Sequence, residues 1–171
     1  MQAAAPFQLV RATEADIPFI METERLEEYD RLVGRWDEAR HVAALNDGRH
    51  AYFVAHASDE RLGFAIVRDW ASPEGIATIK RVAVRQPGKG IGRALLAALA
   101  DLVFEQTNVY RLWLGVFPEN LRARRAYEAC GFIAEGVARG SAYFGGEHRD
   151  ELVMALLRPE WVARKQGGPR G

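Results

Sequence analysis

The sequence predicts a mixed α/β (α+β) fold in which helices cover one sheet, and three observations carry that prediction. Strand-like apolar runs and helical patterns follow one another in the order strand, two helices, three strands, helix, strand, helix, two strands. "RVAVRQPGKGIGRALL" passes from a β-like run through a glycine turn straight into an apolar helical pattern. "YRLWLGVF" from Tyr110 carries apolar groups on both faces, as a strand covered on both sides does, and is expected to be central.

The elements can be justified in turn. "FQLVRA" from Phe7 is a short strand, and Thr13 with Asp16 marks a helix N-terminus whose charged continuation to Leu32 reads as a solvated helix interrupted by Gly34. "RWDEARHVAALNDG" is a second helical piece closed by Asn46-Asp47-Gly48. "HAYFVAHA" and "RLGFAIVRDW" flank a short polar turn as a hairpin, and "GIATIKRVAV" from Gly75 is a third β run. The next helix runs to about Thr107. "PENLRARRAYEAC" is a short helix with Asn120 near its start and Gly131 just past its end. A last hairpin turns at Gly145-Gly146. The expected organisation is a single domain over residues 7–161 with flexible tails at 1–6 and 162–171.

Composition narrows the function. The 171 residues are 49% hydrophobic and 27% charged, enough for one domain with a substantial core. Lys plus Arg equals Asp plus Glu at 23 each, so no global excess of positive charge is available to hold a polyanion, and no nucleic-acid partner is expected. Cys130 is the only cysteine, which excludes an internal disulfide or a multi-cysteine zinc site and fits a reducing, cytoplasmic setting. No stretch approaches the roughly 20 apolar residues that span a bilayer, so no membrane partner is expected.

The glycine turn is neither common nucleotide motif. A P-loop needs Ser or Thr after its lysine, whereas Lys89 is followed by Gly90 and Ile91; the GxGxxG fingerprint is not met by Gly88, Gly90 and Gly92. General physics remains: glycines permit positive φ, and successive amides at a helix N-terminus converge on an anion, with Lys89 and Arg93 adding charge. A plain strand-to-helix turn with surface cations is the alternative. Farther on, Asn120, Ala123 and Tyr127 share one helical face. There a phenol can give or take a proton, or the pair can be simply a cap and a core residue.

These residues resemble the GNAT superfamily of N-acetyltransferases. "RVAVRQPGKGIGRALL" is similar to its acetyl-CoA-binding motif, and "NLRARRAYEACGF" to its second motif, in the right order with a strand between. "VYRLWLGVFPEN" and "GVARGSAYFGGEHRDELVMALLRPEW" look most like the RimJ/RimL-like branch, whose substrates include ribosomal-protein amino termini and polyamines. The resemblance covers roughly residues 7–161 and is weakest from Glu14 to His50. It implies a mostly antiparallel sheet of about six to seven strands flanked by about four helices. It also implies an enzyme that moves acetyl from acetyl-CoA to a primary amine by direct attack, without a metal, with a homodimer compatible.

Residue by residue, Val82, Ala83 and Val84 match the β run whose backbone binds the pantetheine arm. Gly88, Lys89, Gly90, Ile91, Gly92 and Arg93 match the turn that cradles the pyrophosphate, and Asn120 matches a cofactor-contacting asparagine. Tyr127 matches the tyrosine that protonates the departing thiolate. Two departures stand out. Pro87 replaces the usual Arg or Gln and removes an N–H, and Thr78 stands where many relatives carry a glutamate that draws off the amine proton. The base is therefore open among Glu74, His56, His148 and the acidic set Glu22, Glu24, Glu27 and Glu28, and acids at the cleft mouth would attract a cationic amine. A CoA-binding module without catalysis is the alternative function.

Overall fold

A computed structural model describes residues 6–167. The chain runs β1 (Gln8–Arg11), α1 (Ile17–Glu24), α2 (Glu38–Asn46), β2 (His50–Ala57), β3 (Glu60–Arg68), β4 (Ile76–Val84) and α3 (Ile91–Gln106). It continues as β5 (Arg111–Val116), α4 (Leu121–Ala129), β6 (Ile133–Phe144), β7 (Glu147–Leu157) and α5 (Arg158–Gly167). Seven strands form one sheet in the order β1-β2-β3-β4-β5-β7-β6, antiparallel except for the parallel pair β4–β5. The mixed, mostly antiparallel sheet is as expected, and β5 is indeed internal, with Leu112, Leu114 and Val116 buried.

Helix α3 buries Leu95, Leu96, Leu99, Ala100, Val103 and Phe104, a stripe at three- and four-residue spacing that lies on one face of the sheet. Each such aliphatic side chain contributes on the order of 1.5–3 kcal/mol through burial. On the opposite face α1 and α2 cover a second cluster containing Ile20, Trp36, Tyr52, Phe64 and Ile66.

Two irregularities in β4 shape the centre of the molecule. Ile66 of β3 pairs with Arg81 while Val67 pairs with Ile79, so Lys80 has no partner and forms a bulge. The extra residue reverses the alternation. Ala77 and Ile79 lie in the α3-side core, and beyond Lys80 it is Val84 that joins that core, while Ala83 turns to the α1/α2 side. The second irregularity is a gap. β4 pairs with β5 only at Ile76–Thr78 against Arg111–Trp113, and beyond these residues the two strands part.

Two expectations need correction. The charged segment after Thr13 is not one solvated helix. Asp16 accepts a hydrogen bond from the Thr13 amide at 2.9 Å as expected of a helix start, but α1 ends at Glu24, which is fully buried, and a short 3-10 turn at Glu27–Tyr29 follows. Second, the last of the five α-helices among the described residues contains residues 162–167, which were expected in the C-terminal tail. Its anchors are tertiary. Trp161 stacks on Phe104 at 5.3 Å and donates to Asp101, Lys165 pairs with Asp101, and Arg164 donates to the Ala129 carbonyl. Residues 1–5 and 168–171 of the expected tails lie outside the described residues.

Candidate active site

Two cavities meet at the gap between β4 and β5. The first, about 410 Å³, has Val82, Ala83 and Val84 as its floor. The turn after β4 and the start of α3 supply Gly88, Gly90, Gly92 and Arg93, and α4 supplies Asn120 and Tyr127. Gly88 and Gly90 adopt φ of +84° and +80°, and a Cβ at either would meet no heavy atom within 4 Å. The backbone twist, not crowding, is what calls for glycine there. Gly90 caps α3 without a side chain, leaving the first amides of a 16-residue helix directed at the cavity. Of the residues expected to hold cofactor, Lys89 and Ile91 do not line this cavity: Lys89 is exposed, and Ile91 packs against the core.

Val84 pairs with Gly63 across β3, yet its N–H and C=O point away from that strand and meet the Tyr29 phenol. The hydroxyl accepts from the amide at 2.9 Å and donates to the carbonyl at 3.0 Å. Alternate residues of a strand direct their polar groups to the same side, so those of Val82 also face the gap. Asn120 performs the cap read from sequence, its side chain accepting from the Ala123 amide at 3.3 Å.

Tyr127 borders both cavities. Its ring packs edge-on against Phe132 at 5.8 Å, and no protein group among the described residues hydrogen-bonds its hydroxyl. Burial, with Cys130 and Tyr29 nearby, raises the phenol pKa, so it stays protonated at neutral pH. Cys130 is buried in the α3-side core, as expected of a small hydrophobe, and burial pushes its thiol up as well.

The second cavity, about 630 Å³, lies on the other side of Tyr127. Its walls come from the loop 30–36, from Ile79–Val82, from the end of β5 and from the β6–β7 hairpin. Beneath it runs a buried polar chain. His41 bonds the Tyr52 hydroxyl at 2.9 Å and a Glu24 oxygen at 3.0 Å, and the other Glu24 oxygen accepts from Arg81 at 2.8 Å. Burial alone would raise the Glu24 carboxyl, but the His41 hydrogen bond, the Arg81 charge and the Trp36 amide together hold it below its ordinary value. Gly34 leaves the room that Arg81 occupies, since a Cβ there would lie 2.6 Å from the guanidinium.

None of the residues considered as base from sequence lines this second cavity. His56 sits on β2 against Gln8 and Arg61, Glu74 lies in the turn before β4, and His148 stacks on Tyr143 at the hairpin surface. Glu22 pairs with Arg85, Glu24 is buried in the polar chain, Glu27 is exposed, and Glu28 borders the first cavity. The expected acidic mouth is therefore absent from this wall. Thr78 is buried where β4 still pairs with β5. Two carboxylates do line this cavity: Asp30, which pairs with Arg35, and Glu151 of β7, which accepts from Ser141 at 2.9 Å and is seated against Gly115, where any Cβ would collide with it. Sequence reasoning missed Glu151. It is one of four acids in the last hairpin, and only the strand order brings it beside β5. Among the described residues no group of His, Cys, Asp and Glu is arranged to hold a metal, and no helix is long and apolar enough to cross a membrane.

Comparison with known proteins fits this geometry. A 73-residue stretch is 36% identical to Probable N-acetyltransferase YjcK of Bacillus subtilis, covering 43% of this chain and 40% of that protein. An 85-residue stretch is 31% identical to the spermidine N(1)-acetyltransferase of Vibrio cholerae, covering 50% and 49%. These matches thus span less than half the length of the curated relatives. The crystal structure of the Vibrio cholerae spermidine N-acetyltransferase in complex with CoA and spermine superposes with a TM-score of 0.79 over 92% of this chain and 98% of that one, at 21% identity, which shows a shared fold. Residues 12–132 match the acetyltransferase (GNAT) family as a whole, and the chain belongs to that family.

Proposed function

We propose that this chain is an acetyl-CoA-dependent N-acetyltransferase acting on a primary amine. The observation that carries the reading is Tyr127, a protonated phenol without a protein hydrogen-bond partner, standing where a glycine-lined cavity and a polar cavity meet. Free amides at the start of α3 suit the pyrophosphate of CoA, with Arg93 beside them, and Asn120 closes the far wall. The Val82 polar groups in the gap suit the amides of a pantetheine arm, and those of Val84 become available once the Tyr29 phenol withdraws. An amine entering the second cavity gives its extra proton to Glu151, and its nitrogen forms a bond to the thioester carbonyl carbon. Collapse breaks the carbon–sulfur bond, the sulfur takes a proton from Tyr127, the second proton of the nitrogen returns to the phenolate, and the N-substituted acetamide and free thiol result.

We place the chain in the RimJ/RimL-like branch on its segments around Tyr110–Asn120 and Gly136–Trp161, and in the cytoplasm as a single catalytic domain. The reading extends to a homodimer, for which the edge strand β6, with Ile133 and Val137 each 55% exposed, supplies a surface.

Release of free thiol from acetyl-CoA in the presence of a panel of amines tests the function. Tyr127→Phe is expected to lower kcat by about a hundredfold or more with CoA affinity nearly unchanged. Equal loss of both, or of neither, removes the acid role. Binding of CoA with no thiol release from any amine would identify a binding module.

A further inference from the structure

The wall of the second cavity carries five cationic side chains, Arg31, Arg35, Arg40, Lys80 and Arg81, against two carboxylates, Asp30 and Glu151. Two of the five are neutralised at the surface, Arg31 by Glu147 and Arg35 by Asp30. Arg81 gives one nitrogen to Glu24 and keeps the edge beside Gly34 without a hydrogen bond among the described residues. Arg40 and Lys80 have no carboxylate within salt-bridge distance among the described residues, and Lys80 is the bulged residue of β4. The guanidinium groups of Arg40 and Arg81 lie 4.2 and 4.7 Å from the centre of the Trp36 ring, so one indole fixes two arginines at the same wall.

From this arrangement we infer that the acceptor is a small amine that also bears an oxyanion, a carboxylate in the first instance, which Arg40, Lys80 and Arg81 hold while the amino group faces Glu151 and Tyr127. The inference rests on the acetyltransferase reading of the same site. Guanidinium groups match carboxylates in a two-pronged geometry and lose less on desolvation than an ammonium does. The cations also act on one another. Loss of solvent around its ammonium, then the Arg68 charge, lowers the Lys80 pKa although much of its side chain is exposed; Glu151 offsets part of this, and Arg81 and Arg40 add smaller effects. Burial lowers Arg81, the Glu24 carboxylate offsets part of that, and Arg40 makes a smaller contribution against its charge. An anion placed among them relieves that repulsion, whereas a polyamine would add to it. The cavity volume, about 630 Å³, is in the range of small-molecule sites.

Matched amines test the inference. Thiol release would be measured with glycine against glycinamide, phosphoethanolamine against ethanolamine, and spermidine. In parallel, calorimetry would follow glycine binding to the protein saturated with CoA. The acid is expected to exceed its amide at least tenfold in kcat/KM, with the difference mostly in KM and shrinking as salt is raised. Arg40→Met is expected to cut that preference about tenfold, and Lys80→Met to do so if Arg40→Met fails to fold. A phosphate-bearing amine that outperforms the acid keeps the anion site and changes its oxyanion. Spermidine or the neutral amides matching or exceeding the acids in turnover overturns the inference and leaves the acetyltransferase reading standing. Glycine binding that is lost in Arg40→Met, without thiol release, does the reverse. No glycine binding and no preference for anionic amines overturns the inference outright.

Discussion

The two cavities that share Tyr127 are built in different ways. The first is lined by three short stretches, 28–32, 82–96 and 119–127, and much of its character comes from glycine dihedrals and a helix N-terminus. The second is made of side chains delivered by the loop 30–36, by α2, by β4, by β5 and by the last hairpin. A backbone site can be encoded within one run of residues, and a side-chain site depends on packing across the whole sheet. Mutations should therefore injure the two in separable ways.

The sharpest test of that separation is Glu24→Gln. Removing the carboxylate leaves Arg81 buried without a counter-charge, and the expected loss of stability is about 3 kcal/mol or more by denaturant unfolding. CoA binding to the remaining folded protein is expected to persist; if it fails in proportion, the two sites are not separable. The same carboxyl predicts a pH dependence. Its folded pKa lies below the ordinary 4.5, so its stabilisation is complete above that value and is lost as pH falls through it toward the folded pKa. Glu24→Gln should flatten that acid limb of the stability curve. Next in size is Gly90→Ala, which forces a Cβ into a left-handed conformation at a cost of about 1 kcal/mol. It is expected to weaken CoA binding roughly fivefold by calorimetry while the acceptor KM stays put. The smallest effect is expected from Pro87→Gln, which returns an N–H to the turn and should tighten CoA a few-fold.

The same contrast explains what the sequence disclosed. The order of elements along the chain could be anticipated from strand-like runs and turns, and the cap by Asn120, the turn at Gly145-Gly146 and the positive-φ glycines follow from local chemistry. Most of the first cavity follows from them. Lys89 and Ile91 fall outside its lining because a contiguous motif does not reveal which of its side chains turn outward. Glu24 reads as part of a charged surface run, and partners contributed from farther along the chain, His41, Arg81 and the Trp36 amide, draw it inside. Glu151 carried no local signal, and neither did the cationic wall, whose members are scattered from Arg31 to Arg81. The helix at the C-terminus was hidden for a similar reason, since its polar sequence is held by Asp101 and Ala129.

The bulge at Lys80 has a consequence for how this gene can change. Because one supernumerary residue sets which neighbours face α3 and which face α1 and α2, a single-codon deletion there would exchange the surroundings of Arg81 and Ala83 with those of Val82 and Val84. Chain length in this strand is thus as tightly constrained as residue identity, and insertions or deletions tolerated in the hairpin turns would be lethal to both chambers at once.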